Sequence, residues 1–230
     1  PFDEKSVDFL EKLKCPFYKI SSFEVTHIPL IQKVASTKKN LIISTGMASM
    51  NELKNAYKTA KKFGAKKITF LYCVSNYPSK PEDFYLNNLI ELKKNFNCNI
   101  GLSDHSNSLS ASSLSVKLGA TVFEKHIALD KDKSLDGKFS LVGEEIKEYK
   151  QNLVDCFNIS KNLSIKKFYV AKKEKANKIY RRSIFSTEKI LKGDSFTVKN
   201  IKVVRPSNGQ SPSDFNYFLG KKSRSIIPKG

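Results

Sequence analysis

Five short apolar runs recur along the chain, and each ends in small polar or ionisable residues. They read FYKISS, LIISTG, ITFLYCVS, NIGLSD and TVFEKH, and they begin at Phe17, Leu41, Ile68, Asn99 and Thr121. The segments between them repeat apolar residues at helical spacing, as between residues 50 and 63. This alternation of strand and helix predicts an α/β fold with a parallel sheet.

The predicted strands are almost continuously apolar, as expected when helices or core cover both faces of a sheet. Polar strand ends are typical of a barrel whose site lies at the carboxyl ends of the strands. A complete (β/α)8 barrel needs eight strand–helix units and about 250 residues. Five units therefore predict part of such a barrel, and an open doubly wound sheet is the alternative.

The chain changes character after a further helix predicted at about residues 143–160. Between Lys161 and Arg182 nine basic residues accompany one acidic residue, Glu174, which indicates a linker. Short β-like runs follow: SIFSTEKI, SFTVKNIKVVRP and KSRSIIPKG. We therefore predict a barrel part at residues 1–160, a basic linker at 161–180 and a small β domain at 181–230.

Composition narrows the class of protein. The chain has 230 residues, 40% of them hydrophobic, and no apolar run approaches the roughly 20 residues of a membrane span. The net charge of +19 comes from lysines spread among acidic residues on helix faces, without an aromatic stacking platform. We expect no nucleic-acid or membrane partner. The four cysteines lack metal-binding spacing, which indicates free thiols in the cytoplasm.

Ionisable and hydroxyl side chains cluster at the predicted strand ends. They are Lys19, Ser22, Glu24, Ser44, Thr45, Ser75, Asn76, Tyr77, Ser103, Asp104, His105, Glu124, Lys125 and His126. If the strands are parallel neighbours, these groups meet on one rim. A single histidine at a strand end is more often structural, but two on consecutive strands favour a divalent metal with positions open for substrate.

The same rim suits an anionic ligand. A lysine, clustered hydroxyls and helix N-termini together favour a phosphate or carboxylate group. Ser44 and Thr45 open a helix, where simple N-capping is an equal explanation. Asp104 is placed to orient either His105 or a neighbouring backbone group.

Several motifs, in order, resemble the sialic acid synthase family. They are PFD, YKISSFEVTHIPLI, LIISTGMAS, NIGLSDHS, LGATVFEKHIALD and FSL. The later stretch RRSIFSTEKILKGDSFTVKNIKVVRP is similar to the antifreeze-protein-like (SAF, β-clip) domain of those enzymes. The resemblance implies strands four to eight of a TIM (β/α)8 barrel, followed by that domain. It places PFD at the end of the third strand, and we expect the chain, which opens without Met, to be an inactive fragment.

The resemblance also implies the reaction and its residues. Such enzymes condense phosphoenolpyruvate with an N-acetylated amino sugar and release phosphate. His105 and His126 match ligands of a divalent metal, Mn²⁺ or Mg²⁺, and the matching catalytic residues include Glu24 and Asp136. The residues that match substrate-binding positions are Lys19, Ser22, Ser44, Ser75, Tyr77, Ser103 and Arg205. Arg205 is expected to reach the sugar in a partner subunit of a domain-swapped homodimer.

Within the family, the sequence at Ser21–Glu24 is most like pseudaminic acid synthases, with N-acetylneuraminate and legionaminate synthases as alternatives. Two motifs depart from the family pattern. Tyr72-Cys73-Val74 replaces His or Lys, Cys and Thr, which removes a polar group near the expected phosphate site. Ser134-Leu135-Asp136 replaces Gly-Pro-Asp. Outside the family, a different metal-dependent barrel enzyme such as a hydrolase, or a non-catalytic basic binding module, remains an alternative.

Overall fold

The computed structural model describes residues 1–165 and 167–230, which form two compact units, Pro1–Ser164 and Ile165–Gly230. The first unit contains a five-stranded sheet. Its strands are β1 (Phe17–Ile20), β2 (Asn40–Ser44), β3 (Ile68–Cys73), β4 (Asn99–Asp104) and β5 (Val122–Lys125). Each observed strand starts within one residue of its apolar run, so the five predicted strands are confirmed.

The sheet is parallel throughout, and its strand order is β1-β2-β3-β4-β5. In a doubly wound sheet the strand order reverses at a switch point, whereas here every strand pairs with the next one along the chain. The alternative of an open doubly wound sheet is therefore wrong. The first unit is a segment of barrel wall.

Helices connect the strands and cover one face of the sheet. They are α1 (Glu4–Lys12), α2 (Ile28–Ser36), α3 (Met50–Phe63), α4 (Asn87–Asn95), α5 (Ser110–Lys117) and α6 (Glu144–Ser160). Helix α3 shows how the sequence sets its ends. Ser49 and Glu52 form a reciprocal capping box at the start, and Gly64 ends the helix at φ +96°, a left-handed conformation that glycine adopts without strain.

The sheet has two faces of different character. Ile20, Ile43, Phe70 and Leu102 are fully buried, and they belong to the core that includes apolar residues of the helices. Because side chains alternate along a strand, the neighbours of these residues point to the opposite face. We call the helix-covered side the outer face and the opposite side the inner face. The polar strand ends are divided between the two.

The second unit is small and mostly irregular. Its regular elements are α7 (Lys172–Ala176), β6 (Ser183–Ser186), β7 (Ile201–Val204) and α8 (Phe215–Phe218). Strands β6 and β7 pair antiparallel within the first two predicted β-like runs. The third run, residues 222–230, forms isolated bridges instead, at Lys222 and Ile227. The predicted linker at 161–180 contains α7, and its residue 166 lies outside the described residues.

None of the helices formed by residues 1–165 and 167–230 is long and apolar enough to cross a membrane.

Candidate active site

The inner face carries a connected set of charged and hydroxyl side chains. Glu124 of β5 lies at its centre, where Oε1 accepts hydrogen bonds from Lys19 Nζ at 3.1 Å and from Ser103 Oγ at 2.6 Å. Ser103 and Glu124 are register partners on adjacent strands, while Lys19 reaches across from β1. The sheet thus brings together residues that are 105 positions apart in the chain.

His105 follows β4 and is buried within this set. Its Nδ1 lies 2.9 Å from the carbonyl oxygen of Val74, which can only accept, so Nδ1 carries a hydrogen. Its Nε2 lies 3.3 Å from Ser103 Oγ. The single Ser103 proton goes to the closer Glu124, so the Nε2 lone pair receives no proton from Ser103. Burial lowers the pKa of His105, which favours the neutral, ligand-competent ring.

Four rings meet at the mouth of the inner face. The ring centroid of His105 lies 5.3 Å from that of His126 and 4.3 Å from that of Tyr77. Phe139 completes the cluster, with its centroid 4.9 Å from that of His126. This packing limits rotation of both imidazoles. The pKa of Tyr77 is raised by burial, so the phenol stays protonated near neutral pH.

Imidazole nitrogens are common ligands of divalent metals, and the inner face offers two of them, from His105 and His126. Their ring centroids are 5.3 Å apart, so the two imidazoles are close neighbours at the inner face. His126 Nδ1 lies 3.2 Å from Asp136 Oδ2, and His105 is held by a carbonyl, and partners of this kind orient metal-binding imidazoles. Across residues 1–165 and 167–230, no cluster of three or more His, Cys, Asp or Glu side chains is placed to hold a metal ion. Two imidazole nitrogens are fewer ligands than a metal ion takes, so water and substrate would have to complete any metal site here.

Hydroxyl groups line the next part of the inner face. Ser22 Oγ lies 2.9 Å from Ser75 Oγ, so the loops after β1 and β3 meet there. Gly46 packs against this pair at φ +46°, and a Cβ at Gly46 would lie 2.8 Å from Ser75 Oγ. Ser44 Oγ is buried, and among the described residues it has no hydrogen-bond partner. Leaving a buried hydroxyl unpaired costs about 1–3 kcal/mol, which favours a ligand at Ser44.

Two expected site residues stand apart from this network. Glu24 lies in a 3₁₀ turn, Ser22–Glu24, and its carboxylate accepts a hydrogen bond from the hydroxyl of Ser21. Arg205 follows β7 in the second unit and is exposed. Their roles in substrate binding stay predictions. Thr45 Oγ1 is also buried and unpaired within the described part of the chain, and nothing in the structure explains it.

Asp104 and Lys125 do not join the rim, which corrects the expectation that all polar strand-end residues converge. They are register partners that point to the outer face, where Nζ lies 3.8 Å from Oδ1. Of the two roles weighed for Asp104, binding a neighbouring backbone group is confirmed, because it accepts from the N–H of Ser106 at 2.8 Å. Burial lowers the pKa of Lys125, and the nearby Asp104 carboxylate opposes that shift.

The sequence pattern assigns no separate role to two residues at the inner face, Glu124 and Phe139. Glu124 is one of the polar strand-end groups. Because side chains alternate along a strand, its position two residues before His126 places both side chains on the same face of β5. Phe139 lies in the FSL motif. No local pattern places its ring against the imidazoles, because that contact depends on how the loop after β5 returns to the sheet.

Comparison with known proteins identifies relatives over the whole chain. A model of the NeuB family matches residues 1–164. The chain is 38% identical over 232 residues to the pseudaminic acid synthase of Campylobacter jejuni serotype O:2, covering 100% of this chain and 66% of that protein. It is 39% identical over 226 residues to the N,N'-diacetyllegionaminic acid synthase of the same strain, covering 96% and 66%. The chain thus spans just under two thirds of the length of these curated relatives.

A solved structure with a similar fold is that of the spore coat polysaccharide biosynthesis protein spsE from Bacillus subtilis. It superimposes with a TM-score of 0.67 at 30% sequence identity, covering 99% of this chain and 68% of that one. The likeness thus extends over both units of the chain as well as over the sheet that carries the inner-face residues.

Proposed function

The chain belongs to the NeuB family, and on this premise we propose that its protein is a sialic-acid-type synthase. It condenses phosphoenolpyruvate with an N-acetylated amino sugar: C3 of phosphoenolpyruvate attacks the sugar aldehyde carbon, water adds at C2, and phosphate leaves. The motif at Ser21–Glu24 favours pseudaminic acid synthase. Legionaminate and N-acetylneuraminate synthesis are the alternatives, because the chain is about as similar to a legionaminic acid synthase.

The observation that carries this proposal is the inner-face network around Lys19, Ser103 and the unpaired hydroxyl of Ser44. A lysine ammonium and convergent hydroxyls bind carboxylate and phosphate oxygens. Ser22 and Ser75 add two more hydroxyls beside Gly46, where the absence of a side chain leaves room. We assign phosphoenolpyruvate to this part of the site. Val74, which stands where the family has Thr, contributes its carbonyl to His105 rather than a hydroxyl to the anion.

His105 and His126 would hold a divalent metal, Mn²⁺ or Mg²⁺. When bound, such a metal supplies Lewis-acid stabilisation of negative charge on the sugar oxygen. The chain contributes the neutral Nε2 of His105, fixed by Val74, and the His126 ring, oriented by Asp136. Tyr77 and Phe139 pack against these rings.

The sugar is assigned to the mouth of the site. Glu24 would accept its hydroxyls or manage protons, and Tyr77, which is half-exposed, would face it. Arg205 would bind it from a partner subunit, with the second unit acting as an antifreeze-like (SAF) domain. Two fully exposed leucines in the loop after β5, Leu129 and Leu135, support a covering partner, because exposed apolar groups near a site mark contact surfaces.

We place the reaction in the cytoplasm, where the four free cysteines stay reduced. The test is a phosphate-release assay with phosphoenolpyruvate and a panel of N-acetylated amino sugars, with product masses read by mass spectrometry. It uses the protein in the longest form that its gene encodes. Phosphate release that requires both substrates supports the proposal. Turnover of the sugar without phosphoenolpyruvate would indicate a hydrolase, and salt-sensitive polyanion binding without turnover would indicate a binding module.

A further inference from the structure

A buried ion pair lies behind the two histidines, on the outer face of the sheet. Asp104 of β4 and Lys125 of β5 are register partners, and each directly precedes a histidine in the sequence. The Asp104 side chain has no exposed surface, and the Lys125 side chain keeps only 7% of its own. Nothing in the proposed reaction uses either group, because both point away from the inner face.

The pair holds Ser106, the residue after His105, through both of its backbone groups. Asp104 Oδ1 accepts hydrogen bonds from the Ser106 N–H at 2.8 Å and from the Ser106 hydroxyl at 2.7 Å. Lys125 Nζ donates to the Ser106 carbonyl oxygen. The carbonyl of His105 accepts from the N–H of Ser79 at 3.0 Å. The peptide bond that leaves His105 is therefore fixed from two directions.

We propose that Asp104 and Lys125 are positioning residues. By holding the backbone of Ser106, they fix the position of the His105 ring relative to the His126 ring. This inference rests on the proposed function, in which the two imidazoles must reach one metal ion. It assigns no contact with substrate to either residue. They act through the backbone of β4 and of the loop that follows it.

Stability alone gives no reason for an ion pair at this place. Replacing a buried pair with apolar residues of similar volume is often neutral or stabilising, since desolvation of two charges offsets their attraction. The same outer face is apolar elsewhere, at Ile43, Phe70 and Leu102. Apolar contacts have no direction, however, and only hydrogen-bonding groups can fix both the N–H and the carbonyl of Ser106.

The network continues into the helices and there provides a matched control. Asp104 Oδ2 accepts from Ser112 Oγ of α5 at 2.6 Å, and that oxygen lies 2.7 Å from the Tyr149 hydroxyl of α6. Tyr149→Phe removes the outermost hydroxyl of the same buried network without touching Ser106. It should lower stability and leave the histidines in place.

The test compares Mn²⁺ affinity, measured by electron paramagnetic resonance of the free ion, in wild type, Tyr149→Phe and the double variant Asp104→Leu with Lys125→Met, which removes both groups that hold Ser106. The double variant leaves no unpaired buried charge, so it should fold where a single substitution fails. Loss of supporting groups around metal ligands typically weakens affinity 10- to 100-fold. We expect a loss of this size in the double variant and none in Tyr149→Phe.

A second readout does not depend on metal or turnover. The Nδ1 proton of His105, held by the Val74 carbonyl, should give a protected NMR resonance that shifts or disappears in the double variant only. Unchanged Mn²⁺ affinity with an unmoved resonance in the double variant would overturn the proposal, as would equal effects in Tyr149→Phe. If wild type releases no phosphate or binds no Mn²⁺, the proposed function fails, and the resonance still decides whether the pair positions His105.

Discussion

The substitution Glu124→Gln tests whether the carboxylate of Glu124 serves catalysis or only stability. The Lys19–Glu124 pair has Nζ and Oε1 3.1 Å apart, with side chains 27% and 37% exposed. A pair at this exposure contributes about 0.2–1 kcal/mol to stability. The bond from Ser103 changes from a charged to a neutral acceptor, which costs about a further 1 kcal/mol. Since 1 kcal/mol shifts Tm by about 2–4 °C in a chain of this size, we expect Tm to fall by about 2–8 °C.

Activity should fall far more. On the proposed function, we expect Glu124, which lies beside Lys19 and Ser103, to take the proton of the water that adds at C2, and loss of such a general base typically costs about 10²–10⁴-fold in rate. Lys19 and Ser103 both hydrogen-bond Glu124, so phosphoenolpyruvate would compete with this carboxylate for them. Gln competes less well. We therefore expect kcat to drop by about 100-fold or more while KM for phosphoenolpyruvate also falls.

The chain offers a close control in Glu11→Gln. Glu11 accepts from Lys39 Nζ at 2.6 Å and from the Tyr18 hydroxyl at 2.5 Å, with the two charged side chains 26% and 37% exposed. It therefore matches Glu124 in exposure and in partner types, but it lies on α1 and pairs with the residue before β2. Thermal melts and phosphate-release kinetics on both variants decide the matter. Equal activity losses in both, or a normal kcat in Glu124→Gln, would refute the reasoning.

Three further predictions concern the two histidines of the site, Arg205 and Glu11. His105→Ala or His126→Ala should abolish tight Mn²⁺ binding in calorimetry, whereas His27→Ala, at a surface pair with Glu4, should bind normally. Arg205→Lys should raise KM for the sugar and leave KM for phosphoenolpyruvate nearly unchanged, because Lys lacks the planar fork. The hydrogen bond from Lys39 lowers the pKa of Glu11 below 4.5, so its contribution to stability is present above that pH and lost as pH falls. The pH dependence of Tm on the acid side of the ordinary glutamate pKa should therefore weaken in Glu11→Gln, and an unchanged profile would contradict this assignment.

Much of the fold could be predicted because most positions of the strands are apolar. The run ITFLYCVS is apolar at every position of β3 except Thr69, and all six residues of that strand are buried. The start of each strand could therefore be read from the sequence alone. Helix α3 could be predicted equally well, since its apolar spacing, its capping serine and its terminal glycine all act locally.

The candidate site could be predicted only in part from the sequence. The period of two places Ser103 with His105 and Glu124 with His126, so these pairs could be found from the strand assignments. The same rule would have separated Lys125 from His126, although adjacency in the sequence suggested one common rim. Contacts made by loops could not be predicted from the sequence. The approach of the Val74 carbonyl to His105, for example, depends on the path of the chain after β3.

The two faces of β4 and β5 differ in how fully their polar groups are paired, and this difference separates ligand binding from support. On the outer face, Asp104 accepts from Ser106 and Ser112 and lies beside Lys125, so little remains for a ligand. On the inner face, the His105 Nε2 lone pair receives no proton from Ser103. Unpaired buried groups lower stability unless something binds them. The inner face is therefore the side of the sheet at which substrate and metal should be sought.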